Sequence, residues 1–153
     1  MLSQKSRYAL RALAVLAEHE DPAPLAIQEI AQRADAPRKF LEAILLELRR
    51  HGVLKSARGK LGGYALARPA EEIELSKVLR ILDGPLAPIP CASLTAYRPC
   101  EDCPNPDACA TRSVMREVRD AIAAVLDVRT VADLVGPVPG RKRSPKIPIK
   151  QRR

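Results

Sequence analysis

Aromatic residues are scarce in this chain of 153 residues, with three Tyr, one Phe and no Trp. A platform for single-stranded DNA or RNA stacks bases on aromatic faces, so this composition argues against one and leaves duplex DNA as the better nucleic-acid partner. Histidine is almost as rare. His19 and His51 each close an apolar-periodic segment, where a charge that favours the helix dipole explains them without chemistry. No nucleotide-binding glycine loop, metalloprotease helix or nucleophile elbow occurs, and an enzyme is not expected. No apolar run approaches the roughly 20 residues that span a bilayer. The segment MLSQKSRYALRALAVLAEHED is interrupted by Arg11 and has no small-residue cleavage site, so it does not read as a secretory signal. A cytoplasmic protein with no membrane partner is expected.

Cysteine is missing everywhere except in PCASLTAYRPCEDCPNPDACATRS, Pro90 to Ser113, which holds Cys91, Cys100, Cys103 and Cys109. A chain of this length buries a core without covalent staples. In a reducing compartment, clustered thiols point to a metal or redox centre more than to disulfides. One C-x-x-C and two longer gaps leave structural zinc and an iron–sulfur cluster equally open, because four thiolates hold either. Cys100 and Cys103 also have the spacing of a dithiol redox motif, but no βαβ pattern surrounds them. A small thiol redox protein or electron carrier is therefore the weakest reading. Glu101 and the aspartates of the loop make it locally acidic, which disfavours a more negative, reduced cluster.

Acidic residues are absent from the last stretch, GPVPGRKRSPKIPIKQRR, which carries seven Lys or Arg. The rest holds 19 Lys and Arg against 18 Asp and Glu, so the net +8 belongs mostly to that tail. Rich in proline and without an apolar face, the tail from residue 136 is expected to be disordered, as a solubilising extension or a phosphate-binding arm.

The body reads as mainly α. Ala9, Leu10, Leu13, Leu16 and Ala17 mark a first helix between Ser3 and Glu20. DPAP breaks it. Ile27, Ile30, Ala31 and Ala34 form a second apolar stripe, and Phe40, Leu41, Ile44, Leu45 and Leu48 a third. Pro37 suits the first turn of the latter helix and Gly52 its end. Two short helices with a tight connection outline a helix-turn-helix. Extended runs at Val53 to Ala57 and Tyr64 to Ala67, around Gly59, Gly62 and Gly63, add a β-hairpin, the wing.

From Ala36 to Tyr64 there are seven basic residues and two acids, Glu42 and Glu47. Pro37, Arg38 and Lys39 open the helix that would enter the major groove. Arg58, Gly59, Lys60, Gly62, Gly63 and Tyr64 lie in the wing, where the charges reach phosphates and the glycines permit close backbone approach. A further short helix precedes the cysteine loop. Beyond it Met115, Val118, Ile122 and Val125 alternate by three and four, the seam of a dimer helix. A two-fold protein on a palindromic operator follows, unless the helix packs on its own core. TVADLV reads as a last short helix. The divisions are 1–84 for a winged helix-turn-helix DNA-binding domain, 85–112 for the cysteine loop, 113–135 for the dimerisation helix and last helix, and 136–153 for the tail.

RYALRALAVLAEH, IQEIAQRADAPRKFLEAILLELRRHGVLKSARGKLGGYALAR and a cysteine loop running into a helix and TVADLV together resemble the winged-helix iron–sulfur regulators of the IscR and NsrR type. The resemblance spans about Ser3 to Val135. It implies a cytoplasmic homodimeric transcription regulator, read as a repressor, whose binding to double-stranded DNA follows the state of a 2Fe-2S or 4Fe-4S cluster. Redox state, nitric oxide and iron status are the candidate signals. It places cluster cysteines at Cys91, Cys103 and Cys109 and leaves Cys100 as an extra ligand or a spare. Some such regulators have a histidine ligand where Arg112 stands, and others a carboxylate near Arg7. Neither is present, so an all-cysteine site is expected, with a structural zinc or a thiol-based switch as the alternative.

Overall fold

The computed structural model describes residues 2–21, 23–59, 62–103 and 105–136. Lys60 and the basic tail from residue 137 lie outside them. Helix α1, Gln4–Ala17, begins at Ser3, whose hydroxyl accepts the Ser6 amide at 3.0 Å, an N-cap. It stops at Ala17, short of the Glu20 expected from the sequence. Helices α2, Ile27–Arg33, and α3, Arg38–Arg50, follow. Pro37 is the N-cap of α3 in extended conformation, not a first-turn residue. Both helices end in the same hydrogen-bonded motif. After α3, the Val53 amide reaches the Leu48 carbonyl at 2.9 Å and the Gly52 amide the Arg49 carbonyl at 3.0 Å, with Gly52 at φ +72°. After α2 the same place is taken by Asp35 at φ +47°, the non-glycine residue that tolerates this conformation through its short polar side chain.

The core fills the space between these helices. Leu13 from α1, Ile30 from α2, and Leu41, Leu45 and Leu48 from α3 are fully enclosed. Phe40 departs from the expected stripe. Leu41, Ile44, Leu45 and Leu48 occupy the inward arc of α3, which turns Phe40 out to 62 % exposure, its ring 6.2 Å from that of Tyr8.

Helix α4, Leu75–Asp83, contributes Leu75, Val78, Leu79 and Leu82 to the buried set. Its last residue is tied back to the start of α1, where the Ser3 amide and hydroxyl donate to the Asp83 carboxylate at 3.1 and 2.5 Å. Burial opposes ionisation of Asp83. The Ser3 bonds and the Lys5 charge outweigh it and hold the carboxyl below its ordinary pKa. The cysteine loop then runs to the long helix α5, Ala110–Leu126. After α5 the chain returns to the body, with the Leu75 amide on the Arg129 carbonyl at 2.8 Å and the Val131 amide on the Ile73 carbonyl at 2.9 Å. The last element, Val131–Leu134, is a 3-10 turn rather than an α-helix. Val131 is fully buried there in the core that α1 also builds, so this segment belongs to the winged-helix body and α5 is an excursion from it. No helix among the described residues is long and apolar enough to cross a membrane.

Strands β1, Leu54–Ala57, and β2, Gly63–Leu66, form the antiparallel wing, pairing Leu54 with Leu66 and Ala57 with Gly63. A third segment closes on it. Leu25 and Tyr64 exchange both backbone bonds at 2.9 Å, so the chain before α2 is stitched to β2. At Gly63 a Cβ would stand 2.2 Å from the Leu25 carbonyl oxygen, which makes this glycine a requirement of backbone approach. Gly63→Ala is expected to lower stability by about 2–3 kcal/mol, read as a fall in Tm, since backbone rather than a flexible side chain must give way. An unchanged Tm would mean that the Leu25 contact is not maintained.

Candidate DNA interface and cysteine loop

The buried arc of α3 leaves its opening turn outward, and Pro37, Arg38 and Lys39 are all exposed. Arg38 is not free in solution. Its Nε donates to Glu42 Oε1 at 3.0 Å and its Nη1 to Gln28 Oε1 at 3.5 Å, so the guanidinium is shared between α3 and α2. At the far end of α3, Arg49 Nη1 donates to Ser56 Oγ at 3.2 Å and links the helix to the wing. The expected wing residues divide into two groups. Arg58 and Gly59 are exposed, with Gly59 at φ +106° in open space. Gly62, Gly63 and Tyr64 are half-buried and hold the hairpin together. A Cβ on Gly62 would lie 2.8 Å from the carbonyl oxygens of Ala57 and Gly59.

The four cysteines all carry free thiols and occupy unlike settings. Cys91 sits on a 3-10 turn, Pro90–Ala92, and is buried. The exposed Cys100 has its Sγ 3.9 Å from that of Cys91. The hydrogen bond to Cys91, with the repulsion that a second negative sulfur so close would meet, pushes the Cys100 thiol above its ordinary pKa. Cys103 is half-buried and its amide reaches the Cys100 carbonyl at 3.4 Å. Cys109 is the N-cap of α5, its sulfur accepting the Arg112 amide at 3.5 Å.

Among the described residues no three Cys, His, Asp or Glu converge closely enough to hold a metal ion. The Cys91–Cys100 pair does fit one. Two thiolates on a tetrahedral metal with bonds of about 2.3 Å stand about 3.8 Å apart. The donor set, all sulfur, suits iron–sulfur clusters and zinc alike. Cys100, the residue left over by the resemblance, is thus the one placed beside Cys91.

Two residues that hold this loop were not recognised in the sequence as doing so. Arg112 stood out only as the absence of a histidine. Its Nε donates to the Cys91 carbonyl at 3.0 Å, its Nη1 to the Pro106 carbonyl at 3.1 Å and to Asp107 Oδ1 at 2.9 Å. Its guanidinium also lies over the Tyr97 ring, 5.6 Å from the centroid. Arg119, 8 % exposed, is the buried residue of α5 and donates through Nη1 to the Ala92 carbonyl at 2.5 Å. The signal available was the seven-residue spacing of two arginines on one helix face. The expected seam is split. Val118 and Val125 are exposed, with Val114 beside them, whereas Met115 and Ile122 are half-buried. Ile122 lines a cleft with Leu79, Leu86 and Leu126.

A tight pair of helices, the second opening on exposed basic residues, followed by a hairpin stitched to the strand segment before it, defines a winged helix-turn-helix DNA-binding regulator. The chain belongs to the Rrf2 family, whose model, described as an iron-dependent transcriptional regulator, matches residues 2–137. The rrf2-like protein of Rhodobacter capsulatus is 44% identical over 138 residues, which are 88% of this chain and 92% of that protein. The transcriptional regulator IscR of Serratia proteamaculans is 31% identical across 88% of this chain and 78% of its own. The solved structure of CymR, the global cysteine regulator of B. subtilis, matches with a TM-score of 0.71 at 33% identity, covering 88% of this chain and 95% of that one. The protein is therefore a transcriptional regulator that binds DNA, and not an enzyme.

Glu42 neutralises Arg38 at the opening of α3. Glu42→Ala is expected to tighten binding to any duplex severalfold and to steepen the slope of log affinity against log salt by up to about one, because one positive charge facing the polyanion is no longer neutralised. Fluorescence anisotropy at two salt concentrations reads both. An unchanged affinity and slope would remove this end of α3 from the DNA.

Proposed function

We propose that the chain is a homodimeric repressor of a palindromic operator, whose affinity for double-stranded DNA is set by an iron–sulfur cluster held in the cysteine loop. The observation that carries this reading is the position of all four cysteines on the one loop that joins α4 to α5 and is fastened to α5 by Arg112 and Arg119. The family's description as iron-dependent and the likeness to IscR favour iron over zinc. In this reading residues 1–84 bind DNA, 85–112 hold the cluster and 113–135 carry the dimer helix. Arg38 and Lys39 address base edges, while Arg58 and Lys60 reach phosphates. Gly59 lets the wing backbone approach the duplex, and Gly62, Gly63 and Tyr64 keep it in shape. Val118 and Val125 meet their counterparts across the two-fold axis, flanked by Met115 and Ile122.

A bound cluster supplies metal–thiolate bonds sensitive to redox state, nitric oxide and iron supply. The residues that would hold it are Cys91, Cys100, Cys103 and Cys109. The remaining work falls to the chain. Ordering the loop fixes the angle at which α5 leaves the body, and two subunits joined through α5 then present their α3 helices at a set separation. Releasing the loop lets that separation change, which disfavours an operator of fixed half-site spacing.

The 3.9 Å separation of Cys91 and Cys100 supports a second reading, a structural zinc or a thiol-based switch in the same loop. Protein purified without oxygen discriminates. The cluster reading expects visible absorption with iron and sulfide in stoichiometric amounts, and a loaded-to-empty difference in operator affinity at fixed salt. A colourless protein with one zinc per chain, or equal affinity in both forms, would overturn it. Cys100→Ser is expected to shorten the lifetime of the coloured species in air about tenfold; an unchanged lifetime would leave the holding to three cysteines.

A further inference from the structure

Both limbs of the cysteine loop are fastened to α5, and one guanidinium does most of the fastening. The second limb is continuous with the helix through its N-cap, Cys109. Among the described residues, the first limb is hydrogen-bonded to it through arginine side chains. Arg112 gathers three parts of the loop, with the Cys91 carbonyl at 3.0 Å from the first limb, the Tyr97 ring from the middle, and Pro106 and Asp107 from the second limb. One heptad further along the same face, Arg119 takes the Ala92 carbonyl. Consecutive peptides of the Cys91 turn are thus held by two arginines of one helix.

We propose that Arg112 is a positioning residue that locks the Cys91 turn to α5 and thereby converts loading of the cysteines into movement of that helix. Its side chain is 18% exposed, and two of its three hydrogen bonds run to backbone carbonyls, with the Asp107 carboxylate and the Tyr97 ring as the side-chain partners. Several donors in one plane and a flat face for Tyr97 are properties of guanidinium that an ammonium lacks. Arg112 touches no sulfur through its guanidinium; only its backbone amide reaches Cys109. It therefore places Cys91 without ligating alongside it. The residue whose carbonyl it holds, Cys91, is buried, whereas Cys100 stands exposed with its sulfur 3.9 Å away. The transmission half of this proposal rests on the cluster reading; the anchoring half does not.

The experiment uses the full chain with Arg112→Gln and Arg112→Lys, each first shown to melt cooperatively. In metal-free, reduced protein, iodoacetamide labelling of each cysteine is followed by peptide mass. Loss of charge-assisted bonds to the Cys91 turn is expected to raise the labelling rate at Cys91 about tenfold or more in both variants, with Cys100 unchanged. An unchanged Cys91 rate, or full rescue by lysine, would overturn the anchoring role. Protein reconstituted anaerobically with ferrous iron and sulfide is then compared with metal-free protein for operator affinity. Arg112→Gln is expected to keep its iron and sulfide content while the loaded-to-empty affinity ratio falls toward one. A ratio equal to that of the unsubstituted protein would overturn the transmission. If the unsubstituted protein itself shows no ratio, the cluster reading fails, and Cys91 labelling alone decides the anchor.

Discussion

Burial of one arc of α3 fixes nearly everything that matters for DNA binding. Leu41, Ile44, Leu45 and Leu48 are at most 2 % exposed, and α3 packs against α1, α2 and α4. A helix so seated cannot rotate about its axis without emptying the core, and its polar face has one direction available. Arg38 and Lys39 inherit their exposure from that seating, as does the outward Phe40. The wing follows from it too, because the motif that closes α3 at Gly52 aims the chain directly into β1, and Arg49 then holds Ser56.

Much of this body could be read in the sequence because it rests on short-range rules. The apolar stripes of α1 and α3, the glycine after α3, and the hairpin with its glycine-rich turn are each encoded within a few residues. Errors arose where distant parts of the chain decide. Phe40 continues the apolar run, yet the arc was already full. Gly63 looked like a residue for approaching DNA, and its space is taken by the Leu25 carbonyl, a contact across 38 positions of sequence. TVADLV does form the short helix that its composition suggests, as a 3-10 turn, but its place in the core of the body, beside the chain before α4, was not legible.

The cysteine loop shows the same limit more sharply. Cysteine spacing identified the donors and not their neighbours, so the resemblance left Cys100 over while the fold sets it beside Cys91. Arg112 was visible only as a missing histidine, since nothing in a linear pattern announces bonds to carbonyls 21 and 6 residues away. Helix α5 is unusual in that its buried residue is an arginine. Hydrogen bonds to loop backbone hold it to its own subunit alongside the half-buried Met115, Ile122 and Leu126, and Val114, Val118 and Val125 are left on the outside.

The backbone pairing at Glu74 and Thr130 gives this architecture a further property. The cysteine loop and α5 leave the body at the end of α4 and rejoin it beside the start of α4, so the sensor segment is an insert into a body that α4 helps to build. Inserts of that kind can lengthen at little thermodynamic penalty, since doubling a flexible loop costs only about 0.6 kcal/mol. Such a scaffold tolerates exchange of one ligand arrangement for another while the DNA-reading surface stays the same, which makes the sensor and the reader separately evolvable parts of a single small fold.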